Sequence, residues 1–183
     1  GWELQSKKVK FFVTENGGQT APVLFTDESG KTISPYFLSP WQTEGKDLSG
    51  CPVLVPLRGD FFCLPFGGNG DPVNGVTFPC HGETATAKWE LEDSAKEGEV
   101  SQMTLKMKLS LTEGEVRKRI TLKDSEEAIY IEHEVSGLEA DGYGVEEVQK
   151  AGCTIGISAV WTGTICPSSL PPSTASSPTR RTG

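Results

Sequence analysis

From Val100 to Leu111 apolar side chains recur at every second residue: Met103, Leu105, Met107, Leu109 and Leu111 alternate with Lys106, Lys108 and Ser110. A period of two marks a strand with one face in a core and the other in water. Glu113-Gly114 turns the chain, and Val116 to Leu122 alternates again, less cleanly, because Lys118 interrupts the face made by Val116, Ile120 and Leu122. Lys123-Asp124-Ser125 makes the next turn. Ala128 to Ser136 then sets Ile129, Ile131, His133 and Val135 against Tyr130, Glu132 and Glu134. Three successive antiparallel strands, a meander, are predicted.

The N-terminal part gives the same kind of signal in shorter pieces. Val9 to Thr14 and Ala21 to Thr26 are apolar runs flanking Asn16-Gly17-Gly18, which supplies the positive-φ residues of a tight hairpin. Asp27-Glu28-Ser29-Gly30 is a second turn, followed by Ile33 to Ser39 and by Ser39-Pro40-Trp41. Pro52 to Leu57 leads into the central stretch, and Thr84 to Glu92 reads as a strand carrying Trp89 and Leu91 on one face. No long segment has a 3.6-residue period; Val145 to Lys150 is a helical turn at most.

Composition reinforces this picture. Twenty-one glycines and 12 prolines in 183 residues multiply turns, and 36% hydrophobic with 23% charged residues suits a globular domain. The expected fold is all-β, an antiparallel β-sandwich. A formal charge of −8 excludes a phosphate-binding surface for nucleic acid, which needs clustered Lys and Arg. Cys51, Cys63, Cys80, Cys153 and Cys166 are odd in number and lack metal-ligand spacing, so buried free thiols are expected. No apolar run is long enough for a membrane helix, and Gly1-Trp2-Glu3 opens without a basic or apolar leader, so a cytoplasmic protein is expected.

At Ala151 the composition changes. Residues 151 to 183 contain no Asp, Glu or Lys, and their only charges are Arg180 and Arg181. The chain is therefore expected to divide into a β-domain over 1–150 and a poorly ordered Ser/Thr/Pro-rich tail over 151–183, which reads as an altered reading frame, a truncation or a spliced variant. Ile155, Ile157, Val160 and Trp161 suit one more strand. From Pro167 onward too few apolar residues remain to offset ordering entropy.

Candidate chemistry concentrates between Pro56 and Leu91, where aromatic residues, glycines, Arg58, Asp60 and His81 lie between strand-like segments. His81 is either a site residue or a hydrogen-bonded histidine in the turn made by Pro79 and Gly82. Arg58 could present its planar fork to sugar hydroxyls or phosphate, or pair with Asp60. His133, alternating with Ile129, Ile131 and Val135, reads as structural, and Trp41 and Trp89 read as core before they read as stacking platforms. Arg58-Gly59-Asp60, flanked by Leu57, Phe61 and Phe62, is too apolar in context for an adhesion loop. Phe66-Gly67-Gly68-Asn69-Gly70 lacks the Lys-Ser/Thr of a phosphate loop. Cys80-His81 as a metal pair would point to opposite faces of a strand.

Several motifs in this stretch resemble the aldose 1-epimerase (galactose mutarotase-like) superfamily, especially its glucose-6-phosphate 1-epimerase-related branch. They are Arg58-Gly59 with Cys63-Leu64-Pro65-Phe66-Gly67, and Pro79-Cys80-His81-Gly82 followed by Trp89-Glu90-Leu91. Trp2-Glu3-Leu4, Gly17-Gly18, Ser39-Pro40-Trp41 and Ile120-Thr121-Leu122 before Tyr130-Ile131-Glu132-His133 occur in the same order, so the resemblance spans residues 2 to 139. It implies a supersandwich that binds a monosaccharide or sugar phosphate on its concave face, with no cofactor. It also implies ring opening in which a carboxylate takes the anomeric proton while an imidazole protonates the ring oxygen. His81 takes the catalytic and sugar-binding role, with Arg58 and Asp60 as sugar-binding residues.

The chain departs from that pattern where Ala85 replaces an arginine and Asp141-Gly142-Tyr143-Gly144 replaces a second histidine. The glutamate base belongs to a second half absent from this chain, since such proteins run to ~300 residues. The catalytic set is incomplete, and a non-catalytic carbohydrate-binding module is the alternative. A sheet edge left open in a shortened copy is a candidate for cover by a homodimer.

Overall fold

The computed structural model of the chain describes residues 1–137, apart from Ser49 and Asn74, and the backbone of Ile155–Thr162. Two antiparallel sheets make up the fold. The first runs in the order β1 (Trp2–Gln5), β2 (Val9–Val13), β3 (Thr20–Thr26), β4 (Thr32–Ile33), and the second β5 (Glu90–Glu97), β6 (Val100–Lys108), β7 (Glu115–Lys123), β8 (Ala128–Ser136), β9 (Ile155–Thr162). Each strand pairs with its sequence neighbour, so both sheets are simple meanders. The all-β antiparallel sandwich expected from the alternation is what forms.

The sheets meet through the faces that alternation selects. Val9, Phe11, Val13, Val23 and Phe25 of the first sheet share a core with Met103, Leu105, Met107, Val116, Ile120, Leu122, Ile129 and Ile131 of the second. Each such side chain contributes about 1.5–3 kcal/mol when fully withdrawn from water. Polar clasps close the sandwich at its rims: Ser101 Oγ donates to Gln5 O at 2.8 Å, and Lys7 N to Asp124 Oδ1 at 3.1 Å. The β2–β3 hairpin turns at Gly17 and Gly18, both at positive φ.

Between Thr84 and Glu92 the structure differs from the expected strand. Glu83–Ala85 form a 3-10 turn, the strand starts only at Glu90, and Leu91 faces solvent while Trp89 is fully buried. The cause is Glu83, whose buried carboxylate accepts from Ser110 N (2.8 Å), Ser110 Oγ and Leu111 N (3.1 Å) and so curls its own segment against the end of β6. The same turn exposes Leu111, which the alternation had assigned to the core face. Residues 34 to 39 are likewise not a strand: β4 ends at Ile33, and Leu38 keeps an isolated bridge to Arg58.

Cys51, Cys63 and Cys80 are free thiols, the first two half-buried and Cys80 exposed, so the expected burial does not hold for Cys80. In the compositionally distinct tail, Ile155–Thr162 pairs antiparallel with β8 from Val135↔Ile155 to Ala128↔Thr162. The helical turn at Val145 to Lys150 and the disorder expected from Pro167 onward lie outside the described residues. Among the described residues, no helix is long and apolar enough to cross a membrane.

Candidate functional site

The link between the two sheets carries the candidate residues, and it is anchored at both ends. At one end Thr20 N donates to Asp60 O (2.9 Å) and Gly59 N to Phe37 O (2.8 Å). Only glycine fits at position 59: its φ is +45°, and a Cβ there would lie 1.7 Å from Thr20 O. At the other end Phe62 stacks on His133 of β8, ring centroids 4.1 Å apart, while Thr84 Oγ1 donates to Phe62 O at 2.7 Å.

The return segment from Pro79 to Gly82 lies against this link. Leu64 and Gly82 form a parallel bridge, His81 N donates to Gly67 O at 2.8 Å, and Asn69 Nδ2 reaches both Pro65 O (3.3 Å) and Pro79 O (2.8 Å). Gly82, at φ +78°, sits so close to Leu64 O that a Cβ would come within 2.0 Å. His81 precedes it with φ +64°, a left-handed conformation that few non-glycine residues adopt and that concentrates at functional sites.

His81 is half-buried and framed by aromatic edges. Phe61 meets its ring in a T-shaped contact at 5.6 Å and Phe66 at 6.5 Å, with Phe66 itself 82% exposed. Its Nδ1 lies 3.7 Å from Cys63 Sγ. The consecutive residues Phe61 and Phe62 thus each hold one of the chain's two histidines. Burial, and then the neighbouring Cys80, push the Cys63 thiol above its ordinary pKa.

Arg58 and Asp60 do not converge on His81, nor do they pair with each other. The Arg58 guanidinium donates to Pro56 O (3.0 Å), Ala21 O (3.5 Å) and Gln42 Oε1 (2.6 Å), and lies 5.9 Å from the Phe12 ring centroid. These partners are neutral, and burial lowers its pKa. Asp60 Oδ1 accepts from Thr20 Oγ1 at 2.6 Å and Oδ2 from Tyr36 OH at 3.2 Å. Burial first, and then the Asp60 charge, raise the Tyr36 pKa. A surface cavity of about 440 Å³ lined by Trp41, Gln42, Lys46, Asp47, Leu48 and Val55 lies beside this cluster, without His81 in its wall. Trp41 is half-buried, its Nε1 donating to Leu54 O at 2.7 Å.

A second polar centre sits inside the sandwich. Lys118 is 1% exposed, donates Nζ–H to Gly18 O at 2.6 Å and lies 5.4 Å from the Trp89 ring centroid. Burial pushes its pKa down to about 8, while the charge of Asp60 acts the other way. Nε2 of His133 is buried and, among the described residues, has no hydrogen-bond partner. Its pKa is pushed down to about 3, by burial first and then by Lys118. The signal for this centre in the sequence was the lysine that breaks the Val116, Ile120, Leu122 face. Cys63 gave no such signal, because nothing in its neighbourhood marks the contact with a residue 18 positions later.

The Slr1438 protein from Synechocystis sp. PCC 6803 has a similar solved structure, with a TM-score of 0.52 at 13% identity, covering 74% of this chain and 48% of that one. Likeness at this identity speaks for the all-β fold, and the chain spans about half the length of that neighbour. No family model matches the chain, and neither does any curated protein.

Proposed function

We propose that the chain is a hexose-binding β-sandwich of the aldose 1-epimerase type, in which His81 meets the sugar oxygens on the surface made by residues 58–66 and 79–82. The observation that carries this reading is the presentation of His81: a half-buried imidazole on a left-handed backbone, between Phe61 and Phe66. A sugar offers oxygens to a polar group and C–H faces to aromatic rings, and this wall supplies both. The ordered motifs around Arg58-Gly59 and His81-Gly82 support the same assignment.

Anomer exchange by this route needs a carboxylate opposite the imidazole. Among the described residues none is bonded to His81, and Asp60 is committed to Thr20 and Tyr36. That commitment favours, as the second reading, a module that binds sugar without turning it over. Arg58 and Asp60 then shape the wall from behind, and His81 makes the contact.

Amide NMR spectra recorded during titration with glucose, galactose and glucose 6-phosphate test the proposal. One of the three is expected to shift residues 61–66 and 79–82 saturably, with the response lost in His81→Ala. Faster α/β exchange of that sugar, also lost in His81→Ala, identifies the epimerase; binding without faster exchange identifies the module. Absence of any response to all three at millimolar sugar overturns the reading.

A further inference from the structure

The contact between Cys63 Sγ and His81 Nδ1, 3.7 Å long, lies within the range of a sulfur hydrogen bond. A neutral imidazole has one nitrogen that donates and one that accepts, and a thiol is a weak donor and a weak acceptor. Partial burial and the neighbouring Cys80 both keep the Cys63 proton on sulfur. Were Nδ1 the protonated nitrogen, its N–H would aim at a poor acceptor and the S–H would be wasted. The reverse arrangement uses both groups: S–H donates to the lone pair of Nδ1.

We infer that Cys63 is a positioning residue, whose S–H holds Nδ1 of His81 as the acceptor and thereby fixes the proton of the neutral ring on Nε2. His81 then offers an N–H donor, not a lone pair, to whatever occupies the wall. This inference rests on the proposed role of His81 in sugar binding for its functional meaning, though the tautomer itself does not. Its consequence is a rule of selection: the ligand atom at Nε2 must be able to accept. The ring oxygen of a pyranose, which has lone pairs and no proton, meets that condition. A neutral ring hydrogen-bonds that oxygen without giving up its proton, so the contact fixed in this way serves binding and orientation.

The tautomer can be read without any sugar, by two-bond ¹H–¹⁵N correlation on the full chain labelled with ¹⁵N-histidine. The chain has two histidines, and His133 identifies itself by staying neutral as the pH falls through 5, its pKa being about 3. For His81 at pH 8 the expected result is one tautomer, with the proton on Nε2. Cys63→Ala is expected to add an Nδ1–H population. Cys63→Ser, whose hydroxyl accepts as readily as it donates, is expected to admit an Nδ1–H population as well. A wild-type ring protonated at Nδ1, or identical tautomer populations in wild type and Cys63→Ala, overturns the inference. Glucose 6-phosphate, galactose and glucose are then added to the same sample. Failure of all three to move the His81 signals removes the sugar reading, while the tautomer result still decides the role of Cys63.

Discussion

Lys118 on β7 stands directly opposite His133 on β8, in register across the antiparallel pair, and both lie on the face that carries the core. Residues so paired have Cβ atoms about 4.5–5.5 Å apart. Two groups able to carry positive charge therefore share the interior of the sandwich, and each makes the other's protonation harder. For His133 this raises the cost of a proton already opposed by burial.

The folded-state pKa of His133, about 3, lies below its ordinary 6.5. Between these values the unfolded chain binds more protons than the native one, so stability falls as the pH drops from 6.5 towards 3. His133→Phe removes that proton uptake and replaces a buried nitrogen that has no partner among the described residues with a ring that can stack on Phe62. The variant is expected to match or exceed wild-type stability at pH 7 and to lose less of it at pH 4, as measured by urea unfolding at the two pH values. Equal acid sensitivity in wild type and variant would count against the burial of His133.

Lys118 works in the same direction at the other end of the scale. Its folded pKa, about 8, lies below the ordinary 10.5, so the unfolded chain holds the extra proton between these values and stability rises with pH across that window. Lys118→Met keeps the volume and loses the charge. It leaves Gly18 O without its donor, which costs about 1–3 kcal/mol, but removes the penalty for a buried ammonium. The two nearly cancel at pH 7. The expected signature is in the slope: the melting temperature of wild type climbs between pH 8 and 10 relative to Lys118→Met, and the His133 pKa, measured by NMR, moves up in the variant.

These two residues also show what could be read in the chain before its fold was known. Strands β6, β7 and β8 each bury one face and wet the other, so their alternation is visible, and Lys118 stood out as the break in it. Strand β5 left little such trace: of the strand expected over Thr84 to Glu92, only Glu90 to Glu92 belong to it. All eight residues from Glu90 to Glu97 are exposed, and they are a strand only because β6 offers them a hydrogen-bonding edge, from Glu90↔Lys106 to Glu97↔Val100. The site divided in the same way. The aromatic setting of His81 is local and legible, whereas the partners of Arg58, at Ala21 and Gln42, come from 37 and 16 residues away and depend on the fold.

Glu83 illustrates how one distant contact overrides a local pattern. Its carboxylate serves three donors on Ser110 and Leu111, and hydrogen bonds to a charged acceptor are worth about 1.5–3 kcal/mol each, with unpartnered buried donors adding to the loss. Glu83→Ala is expected to destabilise the protein by about 4 kcal/mol or more. Glu83→Gln, which keeps an acceptor oxygen, should cost less. Chemical denaturation separates the two, and hydrogen exchange at the amides of Ser110 and Leu111 should accelerate in both.

Arg58 offers the sharpest separation between a binding and a structural role. Its guanidinium ties three oxygens, and its own backbone N–H accepts no freedom either, donating to Gln19 Oε1 at 3.0 Å. A lysine cannot reproduce the fork, because an ammonium lacks the planar, divergent N–H groups. Both Arg58→Lys and Arg58→Ala are therefore expected to lower stability, by about 1–3 kcal/mol for the alanine variant. If sugar binds as proposed and Arg58 acts only from behind the wall, the affinity of a folded Arg58→Lys protein for sugar should fall little, while that of His81→Ala collapses. A large affinity loss in Arg58→Lys with unchanged unfolding would instead place the guanidinium in contact with the ligand. Calorimetric titration beside urea unfolding of both variants distinguishes these outcomes.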